Sequence, residues 1–164
     1  MEYTKYVKDA IDILKTKGGF LTVKSGEKVN TMTIGWGDIG YMWKKPVFMV
    51  MVRKSRYTYD IIEEAEDFTV SIPVNCELKK ELALCGTKSG RDIDKFKECN
   101  LSMGKSNKVN SPIIGECDLQ FECKIIYKQH MDEKFLSPEI NKSCYENGDY
   151  HTMYYGEIVD CYLK

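Results

Sequence analysis

The chain has no apolar run long enough to cross a bilayer. Its longest mainly apolar stretch, Pro46 to Val52, falls far short of the roughly 20 residues a spanning helix needs. The N-terminal stretch carries Glu2, Lys5, Lys8, Asp9 and Asp12 in place of an apolar signal core, so a soluble, cytoplasmic protein is expected. A surplus of either charge is also missing: 24 basic residues stand against 25 acidic ones, a formal net charge of −1. That excludes a partner gripped by bulk charge, such as nucleic acid or an anionic membrane. Seven cysteines are present, yet none form a Cys-x-x-Cys pair. Zinc and iron–sulfur centres gather thiolates through such short spacings, so these read as free, mostly buried thiols in a reducing compartment, with no metal site. No repeat, low-complexity tract or linker is found, and residues 1–164 read as one domain whose 43% hydrophobic content suffices for a core.

Periodicity places the elements. Tyr3, Tyr6, Val7, Ala10, Ile11 and Leu14 recur at helical spacing before a stop at Gly18-Gly19. Phe20 to Lys24 and Val29 to Trp36 read as strands around a turn at Ser25-Gly26-Glu27, and Pro46 to Arg53 as a strand apolar on both faces. Thr58 is positioned to cap a helix reaching Ala65, and Asn75 one ending near Gly86. Phe68 to Ile72 lies between them as a strand, and a short helical turn covers Ile93 to Glu98. From Cys117 to Lys128 apolar and polar residues alternate, which predicts a long half-buried antiparallel strand. Met131 to Gly148 reads as irregular and His151 to Lys164 as a closing strand. The balance is a small antiparallel barrel with helices at its margin.

Two motifs mislead. Gly35-Trp36-Gly37-Asp38-Ile39-Gly40 fits Gly-x-Gly-x-x-Gly, but those glycines bind a dinucleotide only where they open a helix, and a turn and strand follow here. Gly86-Thr87-Lys88-Ser89 imitates the end of a P-loop without the upstream glycine. Three separated segments suit one ligand better. Asn30-Thr31-Met32-Thr33-Ile34-Gly35-Trp36 offers backbone donors and apolar cover for a planar heteroaromatic ring, or is simply a strand end. Arg53-Lys54-Ser55-Arg56-Tyr57-Thr58 stands where a strand meets a helix start, and supplies cations and hydroxyls for a phosphate, or is a solvated basic turn. Ser89, Arg91 and Lys95 follow a helix end as a second source of cations and hydroxyls, or Asp92 or Asp94 pairs with Arg91 or Lys95 at the surface.

Taken in order, Asn30-Thr31-Met32-Thr33, Val52 to Thr58, Cys85 to Phe96 and Asp149 to Val159 resemble the flavin reductase-like family of FMN-binding split β-barrels, which includes flavoredoxin-like proteins. The resemblance runs from about Gly19 to Leu163. It implies a six-stranded Greek-key split barrel and a homodimer with non-covalent FMN near its interface. Asn30, Thr31, Met32 and Thr33 would line the ring, with Trp36 beside it. Arg53, Ser55, Arg56 and Thr58 would hold the phosphate and ribityl chain, and Ser89, Arg91 and Lys95 would complete the site, from the same subunit or the other. Gly37 to Trp43 departs from the family pattern. The expected activity is transfer of electrons from a reduced nicotinamide, NADH or NADPH, through FMN to a flavin, metal complex or protein acceptor. The alternative is a flavoredoxin-like carrier that does not itself oxidise nicotinamides quickly. No nucleophile triad is needed, because the flavin carries the redox chemistry. His151 is a candidate proton donor beside the ring or a rim histidine.

Overall fold

β-branched and aromatic residues crowd the middle and end of the chain, and there the backbone is extended. The computed structural model describes residues 2–164. Its principal strands are β1 (Gly19–Ser25), β2 (Lys28–Ile34), β3 (Gly37–Met42), β4 (Lys45–Arg53) and β5 (Asp67–Ile72). Two short strands, β6 (Met103–Gly104) and β7 (Ile113–Ile114), precede the long β8 (Leu119–His130) and β9 (His151–Leu163). Seven strands form one antiparallel sheet in the order β2-β1-β5-β8-β9-β4-β3, and β6 pairs with β7 apart from it. Leu21, Met32, Ile39, Phe48, Val70, Phe121 and Tyr154, drawn from all seven, pack in one buried cluster. The sheet therefore wraps around this cluster, a second one (Phe20, Leu82, Cys85, Phe96, Leu101, Ile114 and Cys117) lies apart from it, and β2 and β3 at the two ends of the sheet share no ladder. The barrel has an open seam.

The fold is mainly β, as the sequence predicts, but with seven strands in the large sheet where six were expected. The extra strand, β3, occupies the segment that departs from the family pattern. It is joined to β4 by Trp43 and Lys44, both at positive φ (52° and 60°).

The helices fringe this sheet. Helix α1 (Val7–Thr16) buries Ala10 and Leu14. Helix α2 (Tyr57–Ile62) is shorter than read, and Thr58 lies inside it, so Arg56 and not Thr58 takes the cap position. Helix α3 (Lys79–Thr87) starts later than the Asn75 cap implies, because Asn75 donates through its backbone N and Nδ2 to Asp118 (2.9 and 2.6 Å). Helix α4 (Lys95–Glu98) is capped by Asp94. Helix α5 (Pro138–Cys144) falls in the stretch read as irregular, with Ser137 as its cap. The N-terminal half of β8 is also not half-buried. Gln120 and Glu122 are fully enclosed, because residues 106–118 cover that face and satisfy them. Gln120 Nε2 donates to the Ile114 and Cys117 carbonyls, and Glu122 accepts from the backbone N–H groups of Asn107 and Lys108. Among the described residues no helix is long and apolar enough to cross a membrane.

Candidate functional site: two clefts joined at Arg56

Where β4 gives way to α2 the chain turns sharply, the Arg56 N–H bonding the Arg53 carbonyl at 3.0 Å. That turn aims the Arg56 side chain across to the end of α3. Nη1 donates to the Gly86 carbonyl (2.9 Å) and Nη2 to that of Cys85 (3.3 Å). The last carbonyls of a helix lack intrahelical partners and carry partial negative charge, so a cation is stabilised there. Lys95, opening α4, comes to the same point from the other side. Its Nζ donates to the Cys85 carbonyl (2.9 Å) and the Thr31 carbonyl (3.0 Å), with the residue only 3% exposed. The Cys85 carbonyl thus ties α3 to the start of α2 and to α4, and Lys95 extends the link to β2.

Two clefts meet at Arg56. The larger, about 250 Å³, is lined by Met32, Thr33, Ile34, Gly35, Trp36, Met51, Arg53, Arg56 and His151. The smaller, about 110 Å³, is lined by Asn30, Ser55, Arg56, Tyr57, Thr58, Thr87, Lys88, Ser89, Gly90 and Lys95. The first is bordered by β2 at the open seam, and an edge strand leaves a row of backbone N–H and C=O groups without ladder partners. The second is cationic and hydroxyl-rich. No carboxylate among the described residues comes within ion-pair distance of Arg53, Arg56 or Lys95. Burial, reinforced by Arg56, pushes the Lys95 ammonium down to about 8. Burial, reinforced by Arg53, also lowers Arg56. Cations destabilised by desolvation and by one another, each with N–H groups still unengaged, make a site that favours an anion.

The structure gathers most of the expected residues. Asn30, Ser55, Arg56, Thr58, Ser89 and Lys95 line the small cleft within one chain, and Met32, Thr33, Trp36, Arg53 and His151 line the large one. Several side chains are nonetheless engaged elsewhere. The Thr31 hydroxyl points into the core, bonding Thr22 Oγ1 (3.0 Å) and the Leu21 carbonyl (3.3 Å), so only its carbonyl reaches the site. Thr33 Oγ1 donates to the Leu82 carbonyl (2.6 Å). Asn30 Nδ2 donates to Thr58 Oγ1 (2.8 Å), fixing β2 to α2. Ser55 Oγ donates to Asp149 (2.6 Å), and Arg53 to the Asp149 and Cys144 carbonyls (2.6 and 2.9 Å). Arg91 lines neither cleft. Its guanidinium pairs with Asp60 (2.6 Å) and stands over the Tyr57 ring.

His151 sits at the far end of the large cleft. Its ring lies 5.6 Å from that of Trp36, and Tyr145 Oη is 2.7 Å from its Nδ1. Burial, with Arg53 adding repulsion, lowers its pKa to about 4, so it is neutral at pH 7. Sequence reasoning missed Met51 and Tyr145. Met51 was within reach, standing two residues before Arg53 on the same face of β4. Tyr145 had no local signal.

An antiparallel barrel left open on one side, with a cationic cleft beside one bordered by a strand edge, is a split barrel. A family model described as "Flavin reductase like domain" matches residues 15–164, and the chain belongs to that family. An uncharacterised protein of Archaeoglobus fulgidus is 31% identical over 140 residues, 85% of this chain and 68% of the relative. One of Pyrococcus abyssi is 24% identical, with 82% and 66% covered. The chain thus spans about two-thirds of the length of these relatives. Among solved structures, the flavoredoxin of Desulfovibrio vulgaris (Miyazaki F) superposes with a TM-score of 0.70 at 25% identity, over 91% of this chain and 70% of the other. The flavoredoxin of Methanosarcina acetivorans gives 0.67 at 26%, over 90% and 68%. A Streptomyces globisporus NADH:FAD oxidoreductase shares the fold, at 0.66 and 17%, over 90% and 75%.

Proposed function

We propose that the chain binds FMN non-covalently and uses it to move electrons from a reduced nicotinamide to a further acceptor. The observation that carries this reading is the junction at Arg56, which lines both a cationic cleft without a paired carboxylate and a second cleft bordered by backbone edge and apolar side chains. The donor set fits the nucleotide. Arg56 and Lys95 each keep N–H groups for a phosphate, with the Thr58 and Ser89 hydroxyls beside them. The edge of β2 from Met32 to Ile34, with Gly35 after it, suits the polar rim of the isoalloxazine, and Met32 and Met51 cover its face. Bound FMN would supply the hydride and electron chemistry.

The chain's own residues position and shield. Trp36, 49% exposed at the cleft mouth, excludes water from one side of the ring site and leaves the other side open to a donor. His151, neutral and held through Nδ1 by Tyr145, offers Nε2 to a substrate group without adding charge to an already cationic site. The reading includes a homodimer with FMN near its interface. The flavoredoxin likeness at 25–26% identity favours a second reading, an electron carrier without fast nicotinamide oxidation.

An absorption spectrum of purified protein, before and after FMN is added and the excess removed, tests the first claim; protein colourless in both states rejects it. Anaerobic titration of the yellow protein with NADH and NADPH then separates the readings. Rapid bleaching by either supports the reductase, and no bleaching supports the carrier.

A further inference from the structure

The sulfurs of Cys85, buried in α3, and Cys99, half-buried just after α4, lie 3.9 Å apart. No other cysteine pair among the described residues shares a sulfur–sulfur hydrogen bond. Cys99 Sγ also faces the Glu81 carbonyl at 4.0 Å, so its side chain is turned toward α3 and not toward solvent. A disulfide has an S–S length of about 2.0 Å, which leaves about 1.9 Å of approach to be made by side-chain rotation and a small shift of the four-residue α4. The two positions are 14 residues apart, and a cross-link closing a loop of that size restrains the unfolded chain. We infer that Cys85 and Cys99 form a thiol–disulfide site that a low-molecular-weight disulfide closes and a dithiol reopens.

The exchange balances without any other oxidant. Cys99, the more accessible of the two, attacks one sulfur of the small disulfide as its thiolate, forming a mixed disulfide and releasing one small thiolate. Cys85 then loses its proton and attacks Cys99 Sγ, expelling the second small thiolate. Two protein thiols are oxidised, one small disulfide is reduced to two thiols, and the two protons go to the released thiolates. Burial and the neighbouring thiol hold Cys85 up to about 12, and burial raises Cys99. Closure is therefore slow at neutral pH and quickens as pH rises.

Position gives the site its interest. The Cys85 carbonyl receives both Lys95 and Arg56, so the cross-link joins the two elements that frame the cationic cleft.

Incubating the reduced full-length protein with oxidised glutathione at pH 8.5, followed by alkylation and peptide mapping, tests the inference. Two of the seven thiols should become protected, the mass should fall by two hydrogens, and a single Cys85–Cys99 linked peptide should appear. The melting temperature should rise by several degrees in the parent and not in Cys99→Ser, and dithiothreitol should reverse the rise. Persistent mixed disulfides at Cys99, another pairing, or seven free thiols would overturn it. FMN binding by the untreated protein, measured alongside, reports on the proposed function alone; its failure leaves the thiol result intact.

Discussion

Lys95 Nζ and the Thr31 carbonyl oxygen stand 3.0 Å apart, across 64 residues of sequence, and that bond holds a nearly inaccessible ammonium against the edge strand of the sheet. Because folding lowers this lysine from 10.5 to about 8, the unfolded chain binds more protons between those values. Stability of the FMN-free protein should therefore rise with pH across that window. FMN affinity should move the opposite way, falling by up to about tenfold per unit above pH 8 as the cation is lost. Denaturant titrations and FMN titrations from pH 7 to 10.5 measure the two slopes. Affinity that stays flat would remove Lys95 from the anion site.

Arg56→Ala should weaken FMN binding by roughly 1–3 kcal/mol, the worth of a charge-assisted hydrogen bond. Arg56→Lys should recover only part of this, because an ammonium cannot make the forked contact with the Gly86 and Cys85 carbonyls. Fluorescence titration of FMN against each variant gives the comparison. Equal affinity in Arg56→Ala and the parent places the phosphate elsewhere.

His151 is neutral in the folded chain down to about pH 4, whereas the unfolded chain takes up its proton near 6.5. The His151 contribution to stability should fall as pH drops through that interval and be level above it. His151→Gln should flatten this part of the profile, and Tyr145→Phe should cost about 1 kcal/mol at pH 7 by removing the 2.7 Å bond. Urea midpoints at pH 4.5, 5.5 and 7 give the slopes; identical slopes in His151→Gln and the parent would assign the acid sensitivity to another group.

Gly156, in β9, is covered by the core. A Cβ there would stand 2.6 Å from Phe68 Cζ and 2.7 Å from Cys123 Cβ, closer than real contacts allow. Gly156→Ala should cost roughly 1–3 kcal/mol through overpacking, lowering the melting temperature measured by circular dichroism. An unchanged midpoint would mean that the Phe68 ring yields freely.

Much of the sheet can be read from residue order, because β4 and β9 carry dense β-formers and β8 alternates. Strand β3 could not, since Gly37 and Gly40 weaken any strand signal and its apolar side is little more than Ile39. Helix α5 was hidden by the lack of an apolar face, with Ile140 left 46% exposed, although Ser137-Pro138 is a helix-start signature. In the site, residue types marked where cations gather, and Arg56 and Lys95 gather there. Which partner each side chain takes is a tertiary matter. Nothing local shows that the Thr31 hydroxyl turns inward or that Arg91 goes to Asp60.

The two-residue link between β3 and β4 is closed by Trp43 and Lys44 in left-handed backbone, a shape that asparagine and glycine adopt more cheaply, at about 1–2 kcal/mol per residue. What offsets it is the indole, which meets Tyr127 edge-on at 5.7 Å and Tyr155 at 6.0 Å. This aromatic latch fixes how the terminal hairpin is threaded. Were it sprung, a slip of one residue would turn Ile39 from the interior to water and strip the outermost strand of its one buried side chain.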